Sequence, residues 1–199
     1  MRTALDKPIS IGESDWGPIV SEMRASGVRY VTIVASNNEA IGLLRGMADQ
    51  GIAQKGRIAM FGFSYGGYSS MAAAVRPNGL YKCAIAGAGV SDIKRIWERF
   101  YTNPFFREAQ APTVKGLNPL DQADRIQIPI MVYHGDRDQV VPLEQSDWFV
   151  AKARGSKQPV VYHELADYAH GPAWTRKIMG DQLRLIEDYL VRDCGGKGL

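Results

Sequence analysis

At 199 residues, with 45% hydrophobic and 23% charged side chains, the chain has the makeup of one globular domain with a sizeable core. Its 24 basic residues nearly cancel its 21 acidic ones to leave +3, and no basic run exceeds two residues, which argues against a nucleic-acid partner. No apolar stretch is long enough for a membrane span and no signal-peptide pattern opens the chain, so a cytoplasmic protein without a membrane partner is expected.

Strand and helix patterns alternate along the chain. Residues 28–35 are β-branched and read as a strand; Asn37-Asn38 then cap a helix over about 39–50, which Gly51 stops. A second strand over 57–63 runs straight into a small-residue helix ending near Pro77-Asn78-Gly79. Strands follow at 82–87 and 129–134, then a helix over 143–154 and a strand over 160–165. A helix from Pro172 or Trp174 to Arg192 closes the order. Apolar runs without alternation, each followed by a helix, predict a mostly parallel sheet in an α/β fold with helices on both faces. Residues 1–199 read as a single domain. Cys83, in a strand, and Cys194, in the Gly-rich tail, read as free thiols in a reducing compartment.

Residues 91–128 interrupt the rhythm. They hold Trp97, Phe100, Tyr101, Phe105 and Phe106 with three prolines, and read either as a cap over a pocket or as an excursion whose rings pack onto the body. Under the cap reading, Trp97, Phe105 and Phe106 are the candidate substrate contacts.

The second strand leads into Gly62-Phe63-Ser64-Tyr65-Gly66, the strand, sharp turn and helix of a nucleophile elbow. Side chains at Gly62 and Gly66 would collide with neighbouring backbone. The turn lifts the Ser64 hydroxyl to a helix N-terminus, where the Tyr65 N–H can donate to a developing oxyanion. A serine hydroxyl needs a base, and the base needs an orienter. Of the three histidines, His170 lies on a loop after the last strand, where doubly wound sheets place their sites, and is the expected base. His163 lies within a strand. His134 precedes a tight glycine turn and is expected to bond backbone and hold the acid loop. Asp136 and Asp138 both follow the fourth strand and are both open as the acid.

Gly62 to Tyr68, His134-Gly135-Asp136-Arg137-Asp138-Gln139-Val140-Val141-Pro142 and His170-Gly171 together resemble the catalytic domain of the prolyl oligopeptidase family, of the α/β-hydrolase superfamily. Asp15-Trp16-Gly17-Pro18 and Asn118-Pro119-Leu120 add to the likeness, which runs from about Asp15 to Leu190. The resemblance implies that Asp138 is the acid and Asp136 a turn residue. It also implies an α/β-hydrolase fold shortened in its N-terminal half, because the His-Gly-Gly segment that supplies the family's second oxyanion donor has no counterpart. Ser36-Asn37-Asn38 is a candidate replacement, or else the asparagines only cap their helix.

The expectation is therefore a serine hydrolase forming an acyl-enzyme on Ser64, with Asp138 and His170 completing the triad. In the resembled family a propeller and acidic side chains give peptidase selectivity; with no propeller in this chain, a carboxylesterase on small acyl esters is expected. A serine exopeptidase of the dipeptidyl or acylaminoacyl type is the alternative, and a non-catalytic homologue or a subunit completing a larger assembly is the further one. An open sheet edge would suit pairing into a homo-oligomer. No metal-ligand spacing, P-loop or dinucleotide fingerprint is present, so no cofactor or metal is expected. Gly87-Ala88-Gly89 reads as a small-residue strand end beside the active site.

Overall fold

The computed structural model describes residues 15–27, 37–54, 56–76, 79–100, 104, 108, 116–171 and 175–194. Two compact units divide the chain, Met1–Lys55 and Gly56–Leu199.

In the first unit, helix α1 (Gly17–Ala25) is followed by helix α2 (Asn37–Asp49). Trp16, Val20 and Met23 recur at the spacing of one helical face and bury against Leu43 and Met47, one turn apart on α2. Pro18 sits in the first turn of α1, where its missing N–H removes no intrahelical bond. α1 is an element beyond those expected from the sequence. Its predicted strand over 28–35 lies outside the described residues.

The second unit is a four-stranded, fully parallel sheet in the order β1 (Ile58–Phe63), β2 (Tyr81–Gly87), β3 (Ile130–Gly135), β4 (Val160–Leu165). Helix α3 (Tyr65–Val75) links β1 to β2 and helix α5 (Glu144–Ala153) links β3 to β4, while helix α6 (Arg176–Arg192) follows β4. The two central strands are buried on both faces, which explains their unbroken apolar runs. Ala84, Ala86, Ile130 and Val132 face one way, against Met71 and Ala74 of α3 and Phe149 and Val150 of α5. Cys83, Ile85, Met131 and Tyr133 face the other way, against Tyr189 and Leu185 of α6. The expected α/β architecture is thus present. Thr175 starts α6 later than expected, its Oγ1 accepting the Ile178 N–H at 3.2 Å as an N-cap.

The cysteines correct an expectation. Cys83 and Cys194 are joined in a disulfide with their Cα atoms 5.5 Å apart, and neither is a free thiol. Just past the C-terminus of α6, the Cys194 N–H bonds the Tyr189 carbonyl and its side chain packs with Tyr189 over β2. The apolar face of α6 therefore delivers Cys194 to Cys83 across 111 residues of sequence. With the thiols cross-linked, they no longer argue for a reducing compartment.

The excursion over 91–128 contains helix α4 (Ile93–Phe100) and a 3-10 helix (Pro119–Arg125). Its two ends are pinned together by buried amides. Gln145 Oε1 accepts the N–H groups of Ser91 and Asp92 at 3.0 and 2.7 Å, and Asn118 Oδ1 accepts the Ile93 N–H at 2.9 Å. The Asn118 bond satisfies the first N–H group of α4, and Asp92 Oδ1 accepts the Arg95 N–H of its first turn at 3.3 Å, so that these orphan donors are paired. Arg95 of α4 lies 3.1 Å from Asp92 and stacks over the Trp148 ring of α5 at 4.5 Å. Among the described residues no helix is long and apolar enough to cross a membrane.

Candidate active site

Strand β1 ends at Phe63 and α3 begins at Tyr65, leaving Ser64 alone to make the turn at φ 58° and ψ −116°. A non-glycine residue in that region stores on the order of 1–3 kcal/mol of strain, held only where neighbours over-determine it. Here the Ser64 N–H donates to the Gly87 carbonyl at 2.8 Å and the Ser64 carbonyl accepts the Tyr68 N–H at 3.0 Å. Gly62 is required because any Cβ there would strike the Gly66 backbone; Gly66 itself has open space around its Cβ position, contrary to the expectation that both positions are crowded. The Tyr65 N–H lies in the first turn of α3 without an intrahelical acceptor, while the Tyr65 ring is exposed beside Tyr68. Ser64 therefore sits at the positive end of a helix with donors around it.

His170 lies on the loop between β4 and α6, with its ring 5.0 Å from that of Phe63. Its Nε2 is 2.8 Å from Ser64 Oγ and its Nδ1 is 2.6 Å from Asp138 Oδ2. An ionised carboxylate can only accept, so Nδ1 carries the proton and Nε2 accepts from the serine hydroxyl. The structure thus brings together the expected residues Ser64, His170 and Asp138. Of the two acid candidates, Asp138 reaches the imidazole.

Asp138 follows β3, and its carboxylate is 1% exposed. Burial alone would raise its pKa. Hydrogen bonds from His134, His170, Val141 and Val140 outweigh that and hold it well below the usual carboxylate range. The Val140 and Val141 N–H groups both reach Oδ1 at 2.8 Å, and His134 Nε2 lies 3.1 Å from Oδ2.

Asp136 stitches the acid loop to the histidine loop. Its Oδ1 accepts the Asp167 N–H at 2.7 Å, its own N–H reaches the Leu165 carbonyl, and the Arg137 N–H reaches the Tyr168 carbonyl at 3.0 Å. Gly135 gives this contact room, since a Cβ there would meet the Tyr168 backbone. Tyr168 also donates from its hydroxyl to Asp181 of α6 at 3.0 Å. Bonds from Lys177, Tyr168 and Arg184 bring the Asp181 carboxyl down to about 2. The residues just before His170 are therefore fastened both to the acid loop and to α6.

His163 lies on β4 opposite Tyr133, on the α6 face; burial and then the Arg192 charge lower its pKa. His134 does bond backbone, at Val141 O, as expected, but it also reaches Asp138, a contact beyond those expected. Their four-residue spacing beside a glycine turn was the available signal. Trp97 lies on α4 and is partly buried; Phe105, Phe106 and Ser36 fall outside the described residues, as do the side chains of Asn37 and Asn38. Gly87-Ala88-Gly89 does border the site, through the Gly87 carbonyl.

The arrangement can activate a hydroxyl, accept its proton and stabilise a nearby anion, as acyl transfer requires. A model of the prolyl oligopeptidase family matches residues 36–197. The chain is similar to dipeptidyl peptidase family member 6 of Caenorhabditis elegans, 28% identical over 162 residues that cover 74% of this chain and 22% of that protein. Among solved structures it is similar to a puromycin-hydrolyzing peptidase of Mycobacterium tuberculosis, with a TM-score of 0.62 and 27% identity over 77% of this chain and 24% of that one. An acylaminoacyl peptidase of Pyrococcus horikoshii shares the fold, with a TM-score of 0.66 and 20% identity over 81% of this chain and 28% of that one. The chain therefore spans roughly a quarter of the length of each of these three proteins.

Proposed function

Because the chain belongs to the prolyl oligopeptidase family, we propose that it is a serine peptidase cleaving short peptide or aminoacyl substrates through an acyl-enzyme on Ser64. The observation that carries this reading is the continuous chain from Ser64 Oγ through His170 to Asp138, at 2.8 and 2.6 Å, at the N-terminus of α3. The expected preference for small esters finds no support among the relatives, which are peptidases by name; the peptide alternative fits them better.

In the first half-reaction Ser64 Oγ attacks the carbonyl carbon while His170 Nε2 takes its proton. Asp138 holds the imidazole in its Nδ1–H tautomer and stabilises the imidazolium. The oxyanion forms beside the Tyr65 N–H. On collapse the C–N bond breaks, and His170 returns the proton to the departing amine. Water then repeats the sequence on the acyl-enzyme, releasing the acid and restoring Ser64.

Turnover of an aminoacyl p-nitroanilide beside a short p-nitrophenyl ester, in the native protein and in Ser64→Ala, tests this. Anilide hydrolysis that falls by more than about 1,000-fold in Ser64→Ala is expected. Ester hydrolysis with no anilide or peptide cleavage would overturn the peptidase reading.

A further inference from the structure

The acid of the site serves two histidines. His134 is fully buried, and its ring nitrogens have different surroundings. Nε2 faces two acceptors, Asp138 Oδ2 at 3.1 Å and the Val141 carbonyl at 3.0 Å. Nδ1 faces the Ser146 hydroxyl of α5 at 2.7 Å. Neither the carboxylate nor the carbonyl can donate, so the Nε2 proton belongs to His134, and the Ser146 hydroxyl supplies the donor to Nδ1. The ring, with Nε2–H donating and Nδ1 paired with the Ser146 hydroxyl, is held in orientation from both sides.

An ionised carboxylate offers about four acceptor sites. On Asp138 all four have donors: the Val140 and Val141 N–H groups on Oδ1, and His134 and His170 on Oδ2. The carboxylate is almost wholly cut off from water, so each donor both satisfies it and sets its direction. His134 is the donor opposite His170 on the same oxygen. Building on the acyl-enzyme reading, we infer that His134 is a positioning residue for the reaction. Its Nε2–H locks Oδ2 onto the His170 Nδ1–H, so that five groups, Ser146, His134, Asp138, His170 and Ser64, form one oriented relay. His134 does not touch the reacting atoms and exchanges no proton with them. It acts by keeping Asp138 ionised and aimed.

Two substitutions separate this role from plain core packing. His134→Gln places an amide donor near the Nε2 position but gives up the acceptor for Ser146. His134→Asn keeps an acceptor near Nδ1 but loses the donor to Asp138. The expected result is a fall in kcat/KM of about 10- to 100-fold for His134→Asn, the range for hydrogen bonds to charged groups, carried by kcat with KM changed by less than about twofold. His134→Gln recovers most of the rate. Equal losses in both variants, or a better rate in His134→Asn, would mean that His134 only anchors α5 through Ser146 and would overturn the inference. Should a variant not fold, the native protein still decides, because long-range 1H–15N imidazole spectra report the tautomer directly. An Nε2–H His134 is expected, and an Nδ1–H His134 would overturn the inference. His170→Ala serves as the control: if it keeps full activity the triad itself is wrong, whereas an inactive His170→Ala beside an unaffected His134→Asn refutes only the role of His134.

Discussion

Asp138 is where the energetics of single residues are most exposed to test. Its carboxyl has a lower pKa folded than unfolded, because four donors more than offset the cost of burial. The stabilisation this gives is complete above the unfolded value, near pH 4, and is lost as the pH falls through the lower folded value. Asp138→Asn cannot ionise and so lacks this contribution at every pH. At pH 7 the native protein should therefore be the more stable by on the order of 1–3 kcal/mol, the cost of leaving buried donors mismatched. Urea unfolding of both proteins at pH 7, 5 and 3 checks this: the gap should narrow between pH 5 and pH 3, and a gap that widens there would contradict the assignment. Ser64 is strained in the same neighbourhood, with its positive φ held by the Gly87 carbonyl and the Tyr68 N–H. Ser64 is thus fixed by backbone on both sides.

Among the elements, α6 is bound to the sheet in two ways. Leu185, Ile186, Tyr189 and Leu190 cover Ile85, Met131 and Tyr133, and the Cys83–Cys194 disulfide closes the helix end onto β2. A cross-link across 111 residues removes a large part of the unfolded chain's freedom, worth about 2–5 kcal/mol. Cys83→Ser with Cys194→Ser, or reduction of the native protein, should lower the unfolding free energy by about that amount; a reduced protein of unchanged stability would show that the cross-link adds nothing to the packing of α6. The Ser64–His170 geometry should persist, because the histidine loop is fastened independently by Asp136, Arg137 and the Tyr168–Asp181 bond. Elements of this kind differ in how far sequence betrays them. β2 and β3 were legible because burial on both faces demands unbroken apolar runs. α1 was not, since nine residues bearing three large aliphatic side chains give a weak period, and only the docked Trp16 completes the stripe. The disulfide was not legible either, because the two cysteines meet only once α6 has packed.

Across the whole molecule, the second unit gathers its chemistry at the carboxyl ends of parallel strands: Ser64 after β1, Asp138 after β3 and His170 after β4. This layout was legible from the sequence because Ser64 and Asp138 follow glycines at strand ends, Gly62 and Gly135, and His170 precedes Gly171 in the loop after β4. The choice between Asp136 and Asp138 was not settled by residue type, since both are aspartates on one turn. Three-dimensional register decides it, sending Asp136 to the Asp167 N–H and Asp138 to the imidazole. The donor from His134 was hidden for a similar reason: the four-residue spacing brings it near Asp138, but only the folded turn aims its Nε2 at Oδ2. The claim on which everything else rests is that this layout makes Ser64 a nucleophile. Labelling the folded protein with a serine-directed fluorophosphonate and mapping the adduct by mass spectrometry tests it most directly. One adduct per chain is expected, on Ser64, absent in Ser64→Ala and slowed at least about 100-fold in His170→Ala. A folded protein that takes no label, or takes it on another residue, would contradict it.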